Sequence, residues 1–320
     1  MIEKKDNMTV QEKYREIFER EIVQESKSVI FPFSPVANKY KYQPYVHNVS
    51  PTAVEDLGKL MRENLIFYAF GEEEIVQAYE KGKFNSLEMA AKYAYKQRLP
   101  ERSEKVDGLP SEVLLDLLIQ IYEPDAYKLT VRTIFRQDDK NEIKGYDLTY
   151  FTKNDNEIVL WLGQAKLGEK NYCKIGIDHD LTKKYKAEYL TKQLYFISDK
   201  PVKVTNDAKE ILEVIDNINA RMIEEDASIR TRELLDYLAR EQIKIRIPCL
   251  LAYGKNSVYI DAKKIYEKIQ GEIDSIQKYY MSHNYVFEHI TPEIIFYIFP
   301  IESIERLRDR EKGFYAGLHK

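Results

Sequence analysis

Only two cysteines, Cys173 and Cys249, occur in 320 residues. Two thiols exclude a disulfide framework, lack the spacing of a zinc site and suit a reducing compartment. Cys173 has no evident histidine partner, which argues against thiol catalysis. Long apolar runs are missing too: the longest, Ile294–Ile301, contains a proline and is far too short to span a bilayer. No secretory leader pattern opens the sequence, so the expected location is cytoplasmic, with no membrane contact. Charge of one sign is not in excess, since 49 Lys and Arg against 53 Asp and Glu give a formal net charge of −4. That balance argues against a protein that coats nucleic acid with its whole surface, yet allows a local basic patch around an acidic site. A Gly-x-x-x-x-Gly-Lys-Ser/Thr loop is absent, so any ATP hydrolysis has to come from a partner. Neither internal repeats nor low-complexity stretches occur.

Hydrophobic residues at 44% and charged residues at 32% describe an ordinary globular protein with ample core. The 25 tyrosines are expected mostly to pack with their hydroxyls satisfied, base stacking being the functional alternative. Residues 1–105 read as a mostly helical region. Helical spacing covers Val10–Glu25, a Ser50-Pro51 start predicts a helix through about Ala69, and further helices fit Glu72–Lys81 and Ser86–Gln97. Residues 106–320 read as an α/β region with a mixed sheet. It opens on a dense apolar helix from Leu109, followed by a strand at Leu129–Arg136 and a hairpin. Helices are expected at Asp178–Tyr195, Asp207–Glu225 and Ala262–Tyr280, strands from Ile243 and at Glu293–Phe299, and a charged terminal helix over Ile301–Tyr315.

The hairpin carries the chemistry. Gly145–Phe151 and Glu157–Lys166 are rich in aromatic and β-branched residues and flank a polar turn at Thr152–Asn156. Alternation puts Gln164 and Lys166 on one face, and Asp147 on the partner strand can meet them. Residues 158–162 are wholly apolar, so Gln164 and Lys166 emerge from a buried strand, where polar groups need partners or a purpose. Hard oxygen ligands are what Mg²⁺ requires, and a bound ion can polarise a phosphoryl oxygen and generate hydroxide at neutral pH. Asp147 supplies a carboxylate, Gln164 a neutral carbonyl oxygen, and Lys166 a cation to orient water or offset transition-state charge. Glu112, on the preceding helix, is placed to complete the pocket. Taken singly, each of these residues reads as ordinary surface; their order along the chain makes the pattern. His179 within Asp178-His179-Asp180 is a weaker candidate, since a helix N-terminus explains those acids equally well. His283 and His289 match no tight metal spacing, and the basic stretches 183–186 and 230–246 read as solvated helix faces.

Glu112, Gly145-Tyr146-Asp147 and Gln164-Ala165-Lys166 resemble the PD-(D/E)xK nuclease superfamily in its Gln-x-Lys variant. More narrowly, Leu109-Pro-Ser-Glu-Val-Leu-Leu, Lys144-Gly-Tyr-Asp and Trp161-Leu-Gly-Gln-Ala-Lys-Leu resemble the HamA family, nuclease subunits of the Hachiman anti-phage system. The likeness covers roughly residues 50–310; a related defence nuclease of the AbpA type is also similar. This resemblance implies a restriction-endonuclease-like fold over residues 106–320 and Mg²⁺- or Mn²⁺-dependent DNA cleavage. It further implies restraint by a superfamily 2 helicase partner, HamB-like, in a heterodimer. By position, Asp147 is then the principal metal carboxylate, Glu112 the supporting helix acid, the Ala165 carbonyl a further ligand and Lys166 the catalytic lysine. Gln164 stands where the superfamily usually has Glu or Asp. That loss of a negative charge asks for a compensating acid, with Asp138 and Asp139 near in sequence but expected in a turn. Two alternatives stay open: a non-catalytic adaptor that keeps the nuclease fold and regulates a helicase, and a ribonuclease with the same site.

Overall fold

The computed structural model describes residues 8–35, 40–99, 108–131, 145–154, 157–199, 206–287 and 290–318. Helices α1 (Val10–Phe18) and α2 (Gln24–Val29) run on through a π-helical turn at Glu19–Val23, followed by strands β1 (Ile30–Pro32) and β2 (Lys41–His47). Then come α3 (Ala53–Glu63), α4 (Leu65–Ala69), α5 (Glu72–Glu80), α6 (Leu87–Arg98) and α7 (Leu109–Tyr122). The short β3 (Tyr127–Lys128) leads to the hairpin of β4 (Leu148–Asn154) and β5 (Glu157–Gly168). Four helices follow, α8 (Lys170–Lys183), α9 (Ala187–Ser198), α10 (Asn206–Arg221) and α11 (Ala227–Arg240). The chain closes with β6 (Lys244–Gly254), α12 (Ile265–Met281), β7 (Glu293–Ile301) and a single turn, α13 (Ile304–Leu307).

All seven strands form one mixed sheet in the order β1-β2-β7-β6-β5-β4-β3, parallel from β2 to β5 and antiparallel at both ends. The central strands are apolar almost throughout because both faces are covered. On one face Trp161, Ala165, Leu250 and Tyr297 join the helices of the first 122 residues. On the other, Leu160, Leu162, Cys249 and Phe296 meet α8 to α12. The protein is therefore an α/β/α sandwich, the architecture that period-two burial in a parallel sheet requires. Among the described residues no helix is long and apolar enough to cross a membrane.

Four local outcomes differ from the sequence expectations. The first hundred residues contribute strands as well as helices: Lys41–Pro44 pairs with β7, after which Tyr45–His47 pairs with β1. Pro44, which has no N–H to donate, lies where the strand changes partner. The single helix expected over Asp178–Tyr195 is two, broken at 184–186, because Tyr185 turns into the core and donates its hydroxyl to the Leu162 carbonyl at 2.7 Å. The terminal helix expected over Ile301–Tyr315 is only one turn. Ile301 still belongs to β7, and the Asp309 carboxylate takes the N–H groups of Glu311 and Lys312, each at 2.8 Å, in a turn that competes with helix. The strand expected over Leu129–Arg136 is instead Tyr127–Lys128, and residues 129–131 are no longer strand; residues 132–136, Asp138, Asp139 and His289 lie outside the described residues.

Candidate active site

The site forms where β4 and β5 part. Their ladder begins at Leu148 opposite Gly163, so among the described strands β5 runs on past Gly163 with only β6 beside it. The Ala165 N–H, left without a β4 carbonyl, is taken instead by the Asp147 carboxylate at 2.9 Å. Asp147 in turn donates its own N–H to the Gly163 carbonyl at 2.9 Å, which fixes the acid at the fork. Gly163 permits this closeness. A β-carbon there would stand 3.1 Å from side-chain carbons of Leu115, Leu148 and Pro248.

Gln164 is fully buried, donates from Nε2 to the Gly163 carbonyl at 2.8 Å and accepts at Oε1 from the Lys184 ammonium. Lys166, two residues on and on the same face, donates to Asp180 Oδ2 at 2.6 Å. Its stem passes over Gly176, where a β-carbon would lie 3.0–3.3 Å from Lys166 Cε, Cδ and Cγ. A glycine inside a helix costs about 1 kcal/mol, so its place in α8 is explained by the lysine that crosses it. Burial alone would lower the Lys166 pKa, but the nearby Asp147 and Asp180 charges outweigh it and raise the pKa above its ordinary value. Lys166 is thus a permanent cation at neutral pH.

Each residue of Gly145-Tyr146-Asp147 makes a separate contact. The Gly145 carbonyl faces Lys184 Nζ at 3.4 Å, the Tyr146 hydroxyl donates to the Lys184 carbonyl at 2.8 Å, and Asp147 holds β5. The structure therefore brings Asp147, Gln164 and Lys166 together, and adds Asp180 and Lys184. Asp180, only 5% exposed, is the acid that spacing missed. The helix-N-terminus account of Asp178 and Asp180 fails, because α8 starts at Lys170 and both lie in its C-terminal half. Nothing in the sequence separates Asp180 from the other helix acids, since only the packing of α8 against β5 buries it.

Glu112 comes from the opposite layer. It is buried on α7, whose Leu115 packs at Gly163 on the far face of the sheet, and it accepts the Tyr68 hydroxyl at 2.6 Å. It begins a buried polar stripe with Asp116 and Gln120, spaced four apart on one helix face. Asp116 accepts from Asn64, Gln120 and Tyr150 at 2.9, 2.7 and 2.6 Å. His179 is 67% exposed and reaches Asp180 from the rim, while Asp178 accepts from Tyr285 and faces His283. Cys173 and Cys249 are buried; burial pushes the Cys173 thiol up to about 12 and Cys249 upward as well, so neither is a nucleophile.

No curated protein matches the chain. The family model for HamA matches residues 17–318, nearly the whole length. With that match spanning both helical layers and the forked hairpin, the chain belongs to the HamA family and is a component of Hachiman antiviral defence.

Proposed function

We propose that the protein is a metal-dependent deoxyribonuclease, the effector of the defence pair, restrained by a partner helicase until infection. The observation that carries this reading is the strand fork itself, where an acid, an amide oxygen and a charged lysine converge as β5 leaves β4. The donor set fits a hard divalent ion, being all oxygen: the Asp147 carboxylate, Gln164 Oε1 and the Ala165 carbonyl, whereas Glu112 lies in the opposite layer with Tyr68. Among the described residues no three His, Cys, Asp or Glu side chains come together as a metal-holding group, so Mg²⁺ or Mn²⁺ would rest on few protein ligands and keep waters and substrate oxygens. When bound, the ion supplies polarisation of the phosphoryl group and a nucleophile at neutral pH. The chain's own part is to hold Asp147 rigid through the Ala165 N–H and to keep the Lys166 cation where charge develops on the phosphoryl oxygens. A net acidic protein also binds DNA weakly by itself, which suits release by a partner.

The test is Mg²⁺- or Mn²⁺-dependent nicking of plasmid DNA by wild type and Lys166→Ala, alone and with the helicase subunit plus ATP. Cleavage lost in a folded Lys166→Ala protein is the expected result. A second reading, a non-catalytic adaptor, draws on one observation: Gln164 replaces a carboxylate and its oxygen already accepts from Lys184. Absence of cleavage in every condition, with the complex still forming, would favour the adaptor; cleavage of RNA alone would move the substrate to ribose.

A further inference from the structure

Lys184 has no role in the chemistry above, yet it sits at the centre of the site. Its Nζ lies 2.5 Å from Gln164 Oε1, 3.4 Å from Asp180 Oδ2 and 3.4 Å from the Gly145 carbonyl oxygen. Those oxygens come from β5, from α8 and from the segment before β4. One cation ringed by oxygens from three segments is the electrostatic pattern of a filled cation site. The backbone at Lys184 is pinned at both ends: its N–H donates to the Asp180 carbonyl at 2.8 Å and its carbonyl accepts from Tyr146. As the C-cap of α8, the residue is also where a helix favours positive charge. The side chain, by contrast, is 22% exposed, and a four-carbon stem can turn its ammonium out to water.

The charges point the same way. Among the described residues Asp147 and Asp180 are matched one for one by Lys166 and Lys184, so the closed arrangement of these four offers no net negative charge to a divalent ion. With Lys184 withdrawn, Gln164 Oε1 is released, Asp180 retains only Lys166 among the two amines, and the site is net negative.

We infer that Lys184 is a built-in competitor of the catalytic ion, occupying the Gln164 and Asp180 oxygens so that metal enters only when this ammonium swings out. The inference rests on the nuclease reading and deepens it by assigning a regulatory residue to the same site. Asp180 becomes the acid that compensates for glutamine at 164. The device gives the family member a resting state in which the strand fork is satisfied internally, with Lys184 hydrogen-bonded to oxygens that the ion needs.

The experiment is Mn²⁺ titration of the purified full-length protein by calorimetry at fixed low salt, with thermal melts to establish folding. Lys184→Met is expected to bind Mn²⁺ about tenfold or more tightly than wild type, since a unit charge a few ångströms away is removed. Lys184→Arg, which keeps the charge, should stay at or below wild-type affinity, and Asp180→Asn should cancel the gain of Lys184→Met. Equal Mn²⁺ affinity in wild type and Lys184→Met, with Asp147→Asn weakening both, would overturn the competition while leaving the metal site standing. Failure of every folded variant to bind Mn²⁺ or to nick DNA would remove the nuclease reading and this inference together. Should Lys184→Met not fold, Lys184→Gln is read by the same criterion.

Discussion

Gly163→Ala tests whether the fork of β4 and β5 depends on the missing side chain at this one position. The backbone there lies outside the left-handed region, so alanine is not excluded by dihedral strain. On that ground alone the substitution should stabilise, by about 0.4–1 kcal/mol through the unfolded chain. Against it stand three apolar carbons, on Leu115, Leu148 and Pro248, each 3.1 Å from the new methyl. They belong to α7, β4 and β6, so no single side-chain rotation relieves all three. Overpacking of this kind costs about 1–3 kcal/mol, which for a mid-range penalty leaves a net loss of about 1–2 kcal/mol and, in a chain of 320 residues, a fall in melting temperature of roughly 1.5–3 °C. The Gly163 carbonyl anchors both the Asp147 N–H and Gln164 Nε2, so the shift reaches the site and nicking activity should fall as well. Urea unfolding followed by circular dichroism gives the stability, and an unchanged slope shows that the denatured state is unaffected. A variant as stable as wild type, or more so, would refute the packing account of this glycine.

The remaining predictions concern the two layers beside the site. Glu112→Gln keeps an acceptor for the Tyr68 hydroxyl and changes a residue across the sheet from Asp147, so the melting temperature and metal-dependent nicking should both hold; nicking reduced by about tenfold or more in the folded variant would return Glu112 to the metal site. His47 stacks on Tyr259 at 3.9 Å, its Nδ1 meets the Asn48 carbonyl and its Nε2 accepts the Glu302 N–H. Burial holds its pKa down at about 4, against an ordinary 6.5. Between those values the unfolded state binds the extra proton, so stability is present above pH 6.5 and is lost as pH falls towards 4, by at most about 3 kcal/mol. Urea midpoints at pH 7 and pH 4.5 should therefore fall further for wild type than for His47→Gln, and parallel losses would show that His47 is not the group responsible.

Much of this molecule is legible in its residues because the signals are local. Alternation and apolar density mark β5 and β7, the density of α7 marks a helix buried all round, and strand parity puts Gln164 and Lys166 on one face. Other features depend on contacts distant in sequence. Nothing local says that Lys41–His47 becomes a strand, since that strand exists by pairing with β7 some 250 residues later. Nor does spacing show that Tyr185 breaks a helix by reaching the Leu162 carbonyl, or that Asp309 ends the terminal helix through its own turn. Asp180 and Lys184 read as helix charges until folding lays α8 against β5, burying Asp180 and bringing the half-buried Lys184 onto Gln164. Glu112 looks like a neighbour of Asp147 along the chain, but the sheet lies between their layers. Side-chain type and strand period are properties of short segments, so the order of residues was enough to bring Asp147, Gln164 and Lys166 together. Which charges meet is a different matter, because ion pairs and strand edges are settled by packing between segments far apart in the chain.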